Sequence, residues 1–168
     1  MIIPATLNDL PVIYNLFEEA IDYQLKNNFT GWKNYDKAFL QRDVESGQLY
    51  KIISNEQICG IFSVCYTDPF IWREKEKGDA LYLHRIVANR HVNEGPVFGM
   101  VLNWAKNIAN EKRLRFIRMD TWAENNKIIG YYRTYGFSIV ETYTTPDTPD
   151  LPLQHRNLNI VLLELAKI

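Results

Sequence analysis

No run in this sequence approaches the roughly 20 consecutive apolar residues that a bilayer-crossing helix needs, and no positively charged segment with a long apolar stretch behind it stands at Met1. A soluble, cytoplasmic protein without a membrane partner is therefore expected. Charge of one sign is lacking as well: 19 lysines and arginines face 20 aspartates and glutamates, leaving a formal net charge of −1. Such a balance supplies no uniform basic field to hold a nucleic-acid backbone, so no nucleic-acid partner is expected. Cysteine is scarce. The two present, Cys59 and Cys65, share one apolar, strand-like run in which an extended backbone separates them by about 20 Å, too far for a disulfide between them.

Motifs for several chemistries are missing. His84, His91 and His155 lack the close spacing of a zinc or iron site, and there is no Cys-x-x-Cys pair, so no metal is expected. Neither a Gly-x-Ser-x-Gly elbow nor a Walker loop occurs. Internal repeats, low-complexity tracts and linkers are absent too. What is present, 168 residues of which 46% are hydrophobic, suits one globular domain over 1–168 with a sizeable core.

Thr6-Leu7-Asn8-Asp9 predicts a helix start, and Leu10, Ile13, Tyr14, Phe17, Ala20 and Ile21 then mark one buried helical face. A second helix is predicted from Asp36 to Glu45. Leu49 to Ile53 and Gln57 to Tyr66 are β-rich runs parted by Asn55-Glu56, which predicts an antiparallel hairpin. Asp68 to Asp79 is polar and charged, carries Pro69, Trp72 and Gly78, and is expected to be a loop with room to move. Ala80 to Val87 reads as a central strand, followed by a polar turn from Ala88 to Glu94. A helix comes next, with Val97, Val101, Trp104 and Ile108 on one face and Pro96 in its first turn. The apolar run Leu114 to Met119 completes a βαβ unit. A helix from Asn126 to Tyr135, a strand from Phe137 to Tyr143, a loop through Pro152 and a strand from Asn157 to Leu165 end the chain.

The most informative stretch lies between Asp120 and Phe137. Asn125 opens a short helical pattern, Tyr132 follows two turns later on the same face, and Gly136-Phe137 closes it. As plain architecture, Asn125 is a good N-cap, Gly136 suits the position after a helix end, Phe137 can begin a buried strand and Tyr132 can be a core residue. The same residues resemble the motif Asn-x-x-Ala-x-x-x-Tyr-x-x-x-Gly-Phe of the GNAT superfamily of N-acetyltransferases, with Ile128 in place of the usual alanine. The opening Ile2-Ile3-Pro4-Ala5-Thr6 through Asp9 is similar to the Ile-Arg-x-Ala-Thr-x-x-Asp start of that family, without its arginine. The resemblance covers nearly the whole chain. It implies an α/β fold of the GNAT type, with a mixed, mostly antiparallel sheet of six or seven strands and helices on both faces.

By the same resemblance, Asn125 bonds the pantetheine arm of acetyl-CoA and Tyr132 protonates the departing thiolate. The backbone of Ile86 and Val87 holds the pantetheine and the acetyl carbonyl. The phosphate loop, Gln/Arg-x-x-Gly-x-Gly/Ala in the family, aligns best with Val92-Asn93-Glu94-Gly95-Pro96-Val97, where only Gly95 fits. Pro96 removes a backbone donor, Val97 brings a branched side chain, and Glu94 adds negative charge near a pyrophosphate. The family's contacts there are mostly to backbone amides, which Asn93, Glu94, Gly95 and Phe98 retain, at the positive end of a helix.

Many GNAT proteins project a glutamate base from the central strand, and none stands between Ala80 and Val87. His84 is the nearest side chain with a suitable unperturbed pKa, with Tyr82 on its face by strand alternation; it reads equally as a half-buried strand histidine. Trp32, Tyr35 and Trp72 fall in regions that shape the family's acceptor pocket. Asp120 and Glu124 either attract a cationic amine or cap a helix. The function implied is direct acetyl transfer from acetyl-CoA to the amine of a small molecule or peptide, Tyr132 being the acid and water or His84 the base. A GNAT-fold protein that binds acyl-CoA without turnover, or a cofactor-free interaction domain, also fits the degenerate loop, and the sequence leaves room for a homodimer.

Overall fold

The computed structural model describes residues 1–92, 95–151 and 153–166. Seven strands form one sheet: β1 (Ile2–Pro4), β2 (Leu49–Ser54), β3 (Gln57–Cys65), β4 (Ala80–Ala88), β5 (Phe116–Trp122), β6 (Ser138–Thr144) and β7 (Asn159–Ala166). Their spatial order is β1-β2-β3-β4-β5-β7-β6. Every neighbouring pair is antiparallel except β4 and β5, which run parallel. The helices are α1 (Leu10–Lys26), α2 (Lys37–Glu45), α3 (Pro69–Trp72), α4 (Val97–Glu111) and α5 (Asn126–Thr134). The expected mixed, mostly antiparallel α/β architecture is thus observed. Cys59 and Cys65 form no disulfide.

Local chemistry sets the element ends. The Thr6 backbone N–H and hydroxyl both donate to Asp9 Oδ2, at 2.7 and 2.9 Å, which fixes the turn leading into α1. Asp36 caps α2 by accepting from the Phe39 N–H, and Asn125 caps α5 by accepting from the Ile128 N–H. Pro96 stands one residue ahead of α4, at its N-cap, and not inside its first turn. No helix among the described residues is long and apolar enough to cross a membrane.

The helices cover both faces of the sheet. Val97, Phe98, Val101 and Leu102 of α4, with Ile129 and Tyr132 of α5, pack on Leu81, Leu83, Ile117 and Met119. On the opposite face Ile13, Leu16 and Phe17 of α1 and Leu40 and Val44 of α2 cover Leu49, Ile61 and Val87. Close approach of α4 depends on Gly60 of β3. A Cβ built there would stand 2.7 Å from Val97 Cγ1 and 3.1 Å from the Val87 carbonyl oxygen. Gly60→Ala should therefore lower stability by about 1–3 kcal/mol through overpacking. Thermal denaturation checks this, and an unchanged midpoint would mean that α4 shifts freely.

The segment Asp68 to Asp79 departs from the expected mobile loop. Pro69–Trp72 is a helical turn and Arg73–Lys75 a 3-10 turn. Trp72 is wholly buried, with the Tyr82 ring at 5.8 Å and the Arg118 guanidinium 4.5 Å from its own ring. Arg73 and Lys75 reach Glu141 of β6 at 2.6 and 2.7 Å. The charge run in the sequence concealed two apolar anchors, Ile71 and Trp72, and for that reason Trp72 belongs to a core cluster and not to an acceptor pocket.

Candidate active site

Strands β4 and β5 pair only over Ala80↔Phe116, Leu81↔Ile117 and Tyr82↔Arg118, although β4 continues to Ala88 and β5 to Trp122. A β-bulge accompanies the parting. Ser63 pairs with His84 but Ile61 with Val87, so β4 holds one extra residue there, and Arg85 takes φ of +51°. The extra residue flips the alternation of side chains. Leu81, Leu83 and then Ile86 pack on the α4 side, while Tyr82 and then Val87 pack on the opposite face. An arginine at positive φ is unusual, and its side chain is anchored by ion pairing to buried Asp43 of α2.

A cavity of about 310 Å³ opens where the strands part. Ile86, Val87, Val97, Phe98, Tyr132 and His84 all line it, so most of the residues singled out in the sequence are brought together. Its walls come from both sides of the sheet, with Phe98 and Tyr132 on one side and Gln24 and Trp32 on the other. Past Tyr82, the edge of β4 that faces β5 has no strand partner among the described residues. That edge offers peptide groups to a ligand.

Tyr132 lines this cavity from α5 with its ring 4.7 Å from that of Phe98. Burial, helped by neighbouring Tyr131 and by the Asp120 carboxylate, pushes its phenol well above the usual tyrosine range. The phenol stays protonated at neutral pH and its hydroxyl makes no hydrogen bond with another described residue. Asn125 is differently placed. Its side-chain oxygen accepts from the Ile128 N–H and its nitrogen donates to the Thr30 carbonyl at 2.9 Å, so both ends of the amide are engaged.

Across the gap, His84 lies between two carboxylates. Its Nε2 is 3.2 Å from Asp68 Oδ2 and its Nδ1 is 3.6 Å from Asp120 Oδ1. Burial alone would lower its pKa. Interaction with the Cys65 sulfur and with the Asp68 carboxylate outweighs it and holds the imidazolium well above the usual histidine range. Burial lifts the Asp120 carboxyl to about 6, partly offset by the His84 charge and reinforced by Asp68. His155, from the connection between β6 and β7, also lines the cavity. Burial and the positive charges of Arg85 and His84 push it down to about 3, so it is neutral. Its ring makes no hydrogen bond with another described residue, and the His84 ring centroid is 6.5 Å away. Asp68, His84 and Asp120 are the described residues whose ligand atoms come close enough to share a metal ion, all within 4.8 Å of one another. His84 nevertheless turns opposite ring nitrogens to the two carboxylates, which is the geometry of a doubly paired imidazolium.

At the start of α4, Gly95 has φ of +85° and open space where a Cβ would stand. The Pro96 carbonyl accepts from the N–H groups of Gly99 and Met100. The amides of Val97 and Phe98 are thus left as first-turn donors without a helical acceptor. The Val97 side chain, which the sequence suggested would obstruct a phosphate, packs toward Gly60. Asn93 and Glu94 lie outside the described residues.

Asp68 and His155 carry weight here that the sequence did not reveal. Asp68 is 16 residues from His84 and Asp120 is 36, and His155 lies in a Pro- and Asp-bearing loop. A signal did exist for Asp120, a carboxylate near the end of a strand facing the expected cofactor gap.

No protein-family model matches the sequence. Over 145 residues the chain is 20% identical to the uncharacterized N-acetyltransferase YesJ of Bacillus subtilis, covering 82% of this chain and 81% of YesJ. The structure superposes on a GNAT-family acetyltransferase of Listeria monocytogenes 4b F2365 with a TM-score of 0.77 at 17% identity, covering 99% of this chain and 94% of the other. It also superposes on YncA of Salmonella typhimurium, a putative acetyltransferase solved with acetyl-CoA, with a TM-score of 0.65 at 13% identity, covering 100% and 94%. With its seven-stranded sheet opened between β4 and β5, this chain has the fold of the GNAT-family acetyltransferases.

Proposed function

We propose that this protein transfers an acetyl group from acetyl-CoA directly to the amine of a small molecule or peptide. The observation that carries this reading is the parting of β4 and β5 after Tyr82↔Arg118. It opens a cavity with the Tyr132 phenol, which hydrogen-bonds to no other described residue, on one wall and the carboxylate-paired His84 on another. YncA, similar in fold, was solved with acetyl-CoA, and the chain has features that fit such a ligand. The β4 edge at Ile86 and Val87 suits the amide-bearing pantetheine arm. The Val97 and Phe98 amides, together with the bare Gly95, suit its pyrophosphate.

Bound acetyl-CoA supplies a thioester, and the chain's part is to position it and to handle protons. The β4 edge orients the acyl carbonyl. Tyr132 gives its phenolic proton to sulfur as the C–S bond breaks. Asn125 acts as the cap that sets α5, and so Tyr132, while tying the α1–α2 connection through Thr30. His84 stands on the acceptor side. Doubly paired, it already carries both ring protons, so it serves by holding the carboxylates around it and not by accepting the amine's proton itself.

Calorimetry with acetyl-CoA, followed by thiol release with an amine panel, tests this reading. Gly95→Trp should weaken acetyl-CoA binding sharply, because it fills the open space beside the Val97 and Phe98 amides, while the positive φ adds only about 1–2 kcal/mol of strain. Unaltered protein that gives no heat and no thermal shift with acetyl-CoA would defeat the cofactor assignment, and the donor missing at Pro96 would be the reason.

A further inference from the structure

Strict alternation along β4 would send residue 85 to the face of Leu81 and Leu83, into the apolar cluster beneath α4. The bulge instead turns Arg85 to the other face, where its guanidinium pairs with Asp43 Oδ2 of α2. Both side chains are buried, Arg85 being 9% exposed and Asp43 7%. The Ser63 hydroxyl of β3 donates to the same Asp43 oxygen at 2.7 Å, and Arg85 Nε lies 3.4 Å from that hydroxyl oxygen. We propose that Asp43 is a positioning residue: its pairing with Arg85 holds the β4 bulge, and so presents the Ile86 and Val87 peptide groups to acetyl-CoA. This rests on the acetyl-transfer reading and adds to it a residue that does not itself line the cavity.

Asp43 stands on the buried face of α2 together with Leu40 and Val44. Those two apolar side chains pack in one cluster with Leu49, Ile61 and Val87. Apolar packing therefore seats α2, and the carboxylate is a fixed post. A buried ion pair is seldom a net gain in stability over apolar residues of the same volume, and its best attested use is to fix register. Register is what is at stake here, because a strand shifted by one residue turns its later side chains to the opposite face.

In one common kind of bulge the residue at this place is a glycine with positive φ, whereas a side chain at positive φ is strained. Arg85 nevertheless takes φ of +51°. Charge supplies the reason: unbulged, its guanidinium would enter the cluster beneath α4 without a counter-ion, and bulged, it meets Asp43. Past residue 85 the consequence is the observed facing of the next two side chains, Ile86 toward α4 and Val87 toward α1 and α2. The edge that both residues offer to the gap depends on it. Without the anchor, part of the population carries β4 in the unbulged register, and apparent affinity for a ligand on that edge falls by the fraction that remains competent.

Calorimetry with acetyl-CoA on Asp43→Asn, alone and combined with changes at Arg85, tests this. Asp43→Asn keeps the size and removes the charge, and should weaken binding roughly tenfold, as a competent fraction near one in ten does. Asp43→Asn with Arg85→Gly should bind within about twofold of the unaltered protein, because glycine takes positive φ without an anchor. Asp43→Asn with Arg85→Leu should stay weakened by about tenfold or more, since leucine suits the apolar face and resists positive φ. The two combined variants bury no lone guanidinium, and they decide the matter where Asp43→Asn alone unfolds. Affinity is the readout and not turnover, because Arg85 lines the cavity and its charge reaches Asp120 and His155. A merely structural ion pair would lower the thermal midpoint of Asp43→Asn and leave the affinity of the folded protein unchanged. That result overturns the proposal, as does a glycine combination that binds no better than the leucine one. Backbone chemical shifts of residues 85 to 87 follow the bulge without any ligand: Asp43→Asn should move them, and the glycine combination should bring those of Ile86 and Val87 back. Shifts that respond in this way, in a protein that binds no acetyl-CoA, would sink the acetyl-transfer reading and leave Asp43 as the anchor of the bulge. Shifts that ignore Asp43, in a protein that does bind acetyl-CoA, would do the reverse.

Discussion

Tyr132→Phe is expected to bind acetyl-CoA as the unaltered protein does and to turn it over on the order of 10²-fold more slowly. The substitution keeps the ring, and hence its packing on Phe98 at 4.7 Å, so the proton alone is removed. A hydroxyl that stabilises charge developing on sulfur works in the transition state, and its loss appears in kcat and not in affinity. The raised phenol pKa supports this assignment, since the group is held in its proton-bearing form across the neutral range. Calorimetry and thiol release measured on one preparation decide the matter. Full activity in the variant would make Tyr132 a core residue and return the thiolate's proton to solvent.

Trp72→Ala should destabilise the protein by about 3–5 kcal/mol, the range for emptying a large buried aromatic site. Its indole is wholly buried against Tyr82 and beneath the Arg118 guanidinium. Truncation therefore leaves a cavity and strips a buried cation of an aromatic face. The midpoint of thermal unfolding should drop by on the order of 10 °C. Trypsin gives a local readout: Arg73, Lys75 and Lys77 should resist cleavage in the native protein and become sensitive in the variant. A native protein cut quickly there would restore the picture of a mobile loop.

Much of the fold was legible because the local signals agreed with the tertiary result. Asn125 read as an N-cap and is one. Asn55-Glu56 read as the hairpin break, and the strands on either side pair as expected. The apolar spacing from Val97 onward gave α4. The misreading at Asp68 to Asp79 followed from composition, since charged neighbours masked Ile71 and Trp72. The bulge at Arg85 was illegible for a different reason: a non-glycine residue gives no sign of a positive φ that only its surroundings impose. Likewise His84 could be named as a candidate, but the carboxylates on its two nitrogens come from other elements. Pairwise proximity of that kind is absent from any linear pattern. At Val97 a residue-by-residue reading saw only bulk, because the glycine that receives it lies 37 positions earlier, in β3.

The early parting of β4 and β5 also bears on how the sheet behaves mechanically. A three-residue ladder joins β1-β2-β3-β4 to β5-β7-β6, so the sheet has two interior edges in addition to its outer ones. Unmet peptide groups along them are a liability in a chain that must avoid pairing with its neighbours. A ligand with amide groups lying in the gap would meet them as an extra strand does, and would add to the α4 and α5 packing that already bridges the two half-sheets. Amide hydrogen exchange should then slow on binding along both strands bordering the gap.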